Sequence, residues 1–61
     1  MRILLLEDDV KLGPWLKSNL TKMGNIIDLF SDGVKAELEI KKINYEILII
    51  DSMTPGIDGL S

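Results

Sequence analysis

Two short apolar runs in this chain each stop at acid. Met1-Arg2-Ile3-Leu4-Leu5-Leu6 leads into Glu7-Asp8-Asp9, and Tyr45-Glu46-Ile47-Leu48-Ile49-Ile50 leads into Asp51. That is the pattern of buried parallel strands delivering carboxylates to the rim of a sheet. If the two strands are neighbours, Glu7, Asp8 and Asp51 meet, and like charges so close either raise one another's pKa or gather round a cation. A set of hard oxygen ligands without His or Cys selects Mg²⁺, Mn²⁺ or Ca²⁺ over zinc or copper. Mg²⁺ takes only one or two carboxylates and keeps its waters, which leaves room for a phosphate oxygen. A metal beside a spare carboxylate suits phosphoryl transfer, with Asp as the in-line nucleophile. Taken singly, an acid triplet after a strand is ordinarily a solvated loop, and an Asp at a strand end is ordinarily a turn or cap residue. It is their joint placement that favours chemistry.

The elements that must position these acids can be read in order. After the first strand, Leu12, Leu16, Leu20 and Met23 recur at helical spacing with Trp15 beside them, an apolar stripe expected to join the core. Gly24-Asn25 is expected to close that helix as a left-handed cap and turn. With Asp9 as N-cap, Pro14 falls just beyond the positions that tolerate a missing N–H, so the helix either begins late or has a distorted first turn. Asn25-Ile26-Ile27-Asp28-Leu29-Phe30 has strand composition, and its internal Asp28 suggests an edge. Ser31-Asp32-Gly33 offers caps for a second helix carrying Val34, Ala36, Leu38, Ile40 and Ile43 and ending near Lys41-Lys42, whose charges suit a helix C-terminus. Ile47 to Ile50, apolar on both faces, reads as a central strand. Thr54-Pro55-Gly56-Ile57-Asp58-Gly59 reads as a loop. The order βαβαβ implies right-handed crossovers and a parallel sheet, whose ligands bind beyond the carboxyl ends of the strands.

Composition bounds the rest. At 61 residues the chain is small for a domain, and one of this size buries only about 60% of the surface its unfolded chain exposes. With 46% hydrophobic and 28% charged residues it has the balance of a globular protein. It has no cysteine, so neither disulfides nor thiolate metal sites are available. The net charge is −3, the pI is near 4.6, and the seven basic residues are scattered with Lys41-Lys42 as the only pair. No basic stripe is present for direct nucleic-acid binding by this segment. Acids follow the first apolar run where a signal peptide would carry small residues, and no apolar run approaches the roughly 18 residues of a membrane span. The expectation is a soluble, cytoplasmic chain.

At these residues a resemblance becomes specific. The segments Arg2-Ile3-Leu4-Leu5-Leu6-Glu7-Asp8-Asp9, Asp32-Gly33 with Ala36, and Ile49-Ile50-Asp51-Ser52-Met53-Thr54-Pro55-Gly56-Ile57-Asp58-Gly59 span essentially the whole chain. In order and spacing they resemble the N-terminal half of a response-regulator receiver domain of two-component signalling, especially those joined to winged-helix DNA-binding domains. The resemblance implies a truncated flavodoxin-like α/β fold over residues 1–61, with a three-stranded parallel sheet in the order 2-1-3 and no output domain. It implies that Asp51 is the phosphoacceptor for a sensor histidine kinase. It further implies a Mg²⁺ site made of Glu7, Asp8, Asp51 and the backbone carbonyl of Met53, with Glu7 acting through water. Pro55 and Gly59 match the turn that shapes the loop after the phosphorylated strand. Asp9 is a loop charge or helix cap rather than a ligand.

Two positions depart from the family pattern. Thr54 stands where an apolar residue is common, and Glu37 stands where the second helix usually continues its apolar face. A whole receiver has five strands, with a hydroxyl residue on the fourth and a lysine on the fifth that bind the phosphoryl oxygens. This sequence reaches the third, so full switching is not expected, since a switch needs a bistable element to bias. The bare outer side of the third strand is expected to drive self-association.

Two other readings compete. One is a non-catalytic interaction or decoy module that pairs with an intact regulator. The other is a haloacid dehalogenase-type phosphotransferase, suggested by Asp51-Ser52-Met53-Thr54. Against it, that motif's second Asp is Met53 here, and the motif belongs on a first strand rather than a third. Dinucleotide binding is disfavoured, because Glu7-Asp8-Asp9 occupies the place of a glycine-rich turn and would repel a pyrophosphate.

Overall fold

A computed structural model describes residues 1–51. In it β1 (Arg2–Leu6), α1 (Leu12–Lys22), β2 (Ile26–Phe30), α2 (Gly33–Ile40) and β3 (Ile47–Ile50) follow one another. The three strands form one parallel sheet in the order β2-β1-β3, so the flavodoxin-like α/β arrangement implied by the resemblance is present. Arg2 pairs with Ile26 and Leu6 with Phe30 on one side of β1. On the other side Ile3 pairs with Ile47 and Leu6 with Ile50.

The strand period of two divides the core into two layers. Ile3 and Leu5 of β1 join Ile27 beneath Leu16 and Leu20 of α1, with Leu29 beside them. Leu4 and Leu6 face the other way and pack with Ala36 and Ile40 of α2, Phe30 and Tyr45. β1 is therefore the strand covered on both faces, and its Leu4, Leu5 and Leu6 are the largest fully buried side chains.

Three expectations are corrected. Trp15 is 61% exposed and Met23 75% exposed, so only Leu16 and Leu20 of the α1 stripe reach the core. Trp15 lies beside the stripe, on an arc of the helix that the sheet does not cover. Val34 and Leu38 of α2 are exposed, because the short helix meets the sheet through Ala36 and Ile40. β3 is an edge strand among the described residues, as the order 2-1-3 implies, and not the central strand that its composition alone suggests. Neither helix approaches it, and Ile47, Leu48, Ile49 and Ile50 are all exposed. The expectation that β2 is an edge holds, and Asp28 lies on it.

Local chemistry explains the helix ends. α1 begins late: Asp9 Oδ1 accepts from the N–H groups of Lys11 and Leu12, each at 2.8 Å. Pro14 then falls in the first turn, where a missing N–H costs nothing. At the other end the N–H of Gly24 donates to Thr21 O at 3.0 Å and that of Asn25 to Leu20 O at 3.4 Å. This is a Schellman closure, for which Gly24 takes a φ of +92°. Asp32 caps α2 by accepting from the N–H of Val34 at 2.8 Å. Glu37 is held by an ion pair with Lys41 one turn on, at 3.4 Å. The expected loop from Thr54 to Gly59 lies outside the described residues.

Candidate functional site

The register that pairs Leu6 with Ile50 carries both chains together to the rim of the sheet. There the N–H of Asp51 donates to Leu6 O at 3.0 Å, and the N–H of Glu7 donates to Phe30 O at 2.9 Å. β1 is thus tied to both neighbours at the point where the apolar run gives way to acid. Glu7 is buried, Asp51 half-buried and Asp8 exposed, and one carboxylate oxygen from each lies within 4.8 Å of the others. Gly13 of α1 comes close to this point: a Cβ there would lie 3.4 Å from Glu7 O and 3.3 Å from a methyl of Leu29. Its missing side chain lets the helix start pack behind the rim.

Like charge is crowded at the rim. The N–H of Asp9 donates to Glu7 Oε2 at 3.2 Å and pulls the Glu7 pKa down. Burial, a side-chain hydrogen bond with Asp51 and the negative charges of Asp51 and Asp8 outweigh that donor and leave the pKa raised. Asp9 behaves oppositely, because the N–H groups of Leu12 and then Lys11 hold its pKa below the usual carboxylate range. Asp9 accordingly holds the turn that leads into α1 and stands apart from the group of three. Beside them a cleft of about 340 Å³ opens between Glu7, Asp8, Asp9, Val10, Pro14, Leu29 and Ser31. A cluster of oxygen donors at this spacing, one of them destabilised as an anion, fits a small hard dication. Met53, Pro55 and Gly59 lie outside the described residues.

Known proteins similar to this chain are transcriptional regulators. Over 59 residues the chain is 41% identical to the transcriptional regulatory protein QseB of Escherichia coli, a match that covers 97% of the chain and 27% of that protein. The transcriptional activator protein IrlR of Burkholderia pseudomallei is 42% identical over 59 residues, 97% of the chain and 26% of that protein. The transcriptional regulatory protein HprR of Escherichia coli is 39% identical over the same length and shares. Over nearly its whole length the chain resembles the N-terminal receiver segment of transcriptional response regulators. It spans about a quarter of the length of the relatives it matches. No family model and no solved structure matches it.

The chain also holds a polar cluster that the sequence did not reveal. Arg2 at the start of β1, Asp28 in the middle of β2 and Tyr45 just before β3 converge on one face of the sheet. Asp28 was legible only as an edge signal and Tyr45 only as the residue before a strand. The available signal was parity, because Arg2 of β1 and Asp28 of β2 occupy positions of the same face. No helix among the described residues is long and apolar enough to cross a membrane.

Proposed function

We propose that the receiver segment accepts a phosphoryl group on Asp51 from the phosphohistidine of a sensor kinase, in a cytoplasmic phosphorelay that regulates transcription. The observation that carries this reading is the convergence of Glu7, Asp8 and Asp51 within 4.8 Å at the carboxyl ends of adjacent parallel strands. A carboxylate oxygen of Asp51 attacks phosphorus; the P–O bond forms as the P–N bond breaks, and the imidazole leaves with its electron pair. Glu7, Asp8 and Asp51, with the backbone carbonyl of Met53, would hold a Mg²⁺ ion. Bound there, Mg²⁺ supplies charge neutralisation for the incoming phosphoryl group. Glu7 is the buried member, and its raised pKa gives the folded chain a reason to favour a cation.

Titration with Mg²⁺ tests the metal half of this reading. Weak binding that is lost in Asp8→Ala is expected, and equal titrations of the two proteins would count against it.

A second reading is favoured by β3. Four consecutive exposed apolar side chains on an edge strand offer a template for another strand, so the segment pairs with a second copy of itself or with an intact regulator. Light scattering over a dilution series is expected to show self-association. A dilution-stable monomer would remove self-pairing, and failure to co-purify with a full-length receiver would remove pairing with an intact regulator, without touching the first reading.

A further inference from the structure

β3 leads directly into the proposed acceptor, yet it is the least supported strand. It meets the described fold only through its ladder with β1, and none of its four side chains is buried. A strand held by one ladder is weakly specified in register, and a slip of one residue sends every side chain to the opposite face. Such a slip would also carry Asp51 about 3.3 Å along the sheet.

Something else must fix the register, and it is found before the strand begins. Tyr45 packs against the buried cluster of Leu4, Leu6 and Ala36, and its hydroxyl donates to Asp28 Oδ2 at 2.5 Å, reaching across β1 to β2. Arg2 of β1 donates to the same oxygen from Nε at 3.3 Å and from Nη2 at 3.0 Å. Its guanidinium lies 5.9 Å from the centre of the Tyr45 ring. Next to Tyr45, the N–H of Glu46 donates to Arg2 O at 2.9 Å, and Glu46 Oε1 accepts from the N–H of Arg2 at 3.1 Å. One carboxylate oxygen on β2 is therefore shared by a residue of β1 and by the residue that introduces β3.

We propose that Arg2, Asp28 and Tyr45 form a clasp that holds β3 in register on β1, making them positioning residues for Asp51. The geometry is self-checking, because only one register puts the Tyr45 hydroxyl on Asp28 while Glu46 pairs with Arg2. The clasp is also electrically satisfied. The Tyr45 hydroxyl first, and then Arg2, hold the Asp28 pKa below its ordinary value, so the acceptor stays ionised. Its consequence for phosphoryl transfer rests on the reading of Asp51 given above. The register itself does not.

Native-state amide hydrogen exchange on this chain tests the proposal without metal or phosphodonor. The N–H groups of Glu46 and Asp51 report the ladder between β1 and β3, and those of Glu7 and Ile26 report the ladder between β1 and β2. In Tyr45→Phe, which keeps the ring and removes only the hydroxyl, exchange at Glu46 and Asp51 is expected to accelerate about tenfold, as for loss of one charge-assisted hydrogen bond. Glu7 and Ile26 are expected to keep their parent rates. Asp28→Asn, which leaves an acceptor oxygen in place, should produce a smaller change at the same two amides. Equal acceleration at all four amides would reduce the cluster to general stabilisation, and unchanged rates at Glu46 and Asp51 would remove its role altogether. Failure of Mg²⁺ binding or phosphorylation in the parent would leave this readout intact, so the two readings fail separately.

Discussion

The two ends of the sheet handle charge in opposite ways. Towards the beginning of the strands, Arg2 at the start of β1 and Tyr45 just before β3 share one oxygen of Asp28 from the middle of β2, and the Asp28 pKa falls. Where the strands end, Glu7 has one backbone donor against burial and two neighbouring carboxylates, and its pKa rises. A buried or half-buried acid is stable when paired and costly when crowded by like charge. The first cluster is therefore built for holding, and the far end gathers like charge. Both ends depend on β1, which supplies Arg2 to one and Glu7 to the other.

The largest contrast should come from removing one acid at each end. Asp28→Ala leaves the Tyr45 hydroxyl without its acceptor and should destabilise the chain by about 1–3 kcal/mol in urea unfolding. Glu7→Gln keeps an oxygen for the N–H of Asp9 and removes a repelled charge, so the metal-free chain should melt at a higher temperature. If both substitutions lowered stability alike, the two ends would not differ in kind.

Titration sharpens the contrast next. Glu7 binds its proton more readily folded than unfolded, so its contribution makes stability fall as pH rises from the ordinary glutamate value near 4.5 through the raised one. Asp28 has the opposite sign: its stabilisation is present above the ordinary aspartate value near 3.8 and is lost as pH falls through that value toward the lowered one. Burial first, and then the hydrogen bond to Asp28, push Tyr45 from 10.0 up to about 12. Stability should therefore fall again between pH 10 and 12, because the unfolded chain ionises its tyrosine first. Tyr45→Phe should abolish the alkaline loss, and Glu7→Gln should flatten the fall just above pH 4.5. Melting temperatures across pH check both.

Much of this was legible in the sequence because it depends on local rules. Apolar runs ending in acid gave β1 and β3, Gly24-Asn25 gave the end of α1, and Asp32 gave the start of α2. The meeting of Glu7, Asp8 and Asp51 followed once β1 and β3 were neighbours. Trp15 was misplaced because a hydrophobic residue beside a stripe can fall on either side of the helix–sheet contact, and periodicity alone does not locate that contact. β3 read as central because its composition is that of a covered strand, whereas coverage comes from neighbours rather than from the strand itself. The clasp escaped notice because it joins residues 2, 28 and 45, whose relation exists only in the sheet register.

The smallest expected effect serves as a control away from both ends. Gly24→Ala meets no atom within 4 Å but must adopt a φ of +92°, which should cost about 1–2 kcal/mol. In the folded chain it should change neither Mg²⁺ titration nor exchange at Asp51. A shift in either would mean that the rim and the end of α1 are coupled.

The central claim is that the acids at the carboxyl ends of the strands form a phosphoacceptor site, and intact mass after incubation with Mg²⁺ and a small phosphodonor tests it most directly. The parent is expected to gain the mass of one phosphoryl group, and Asp51→Asn is expected to gain none. A parent that stays unmodified while it binds Mg²⁺, or an Asp51→Asn variant modified to the same extent, would contradict the account.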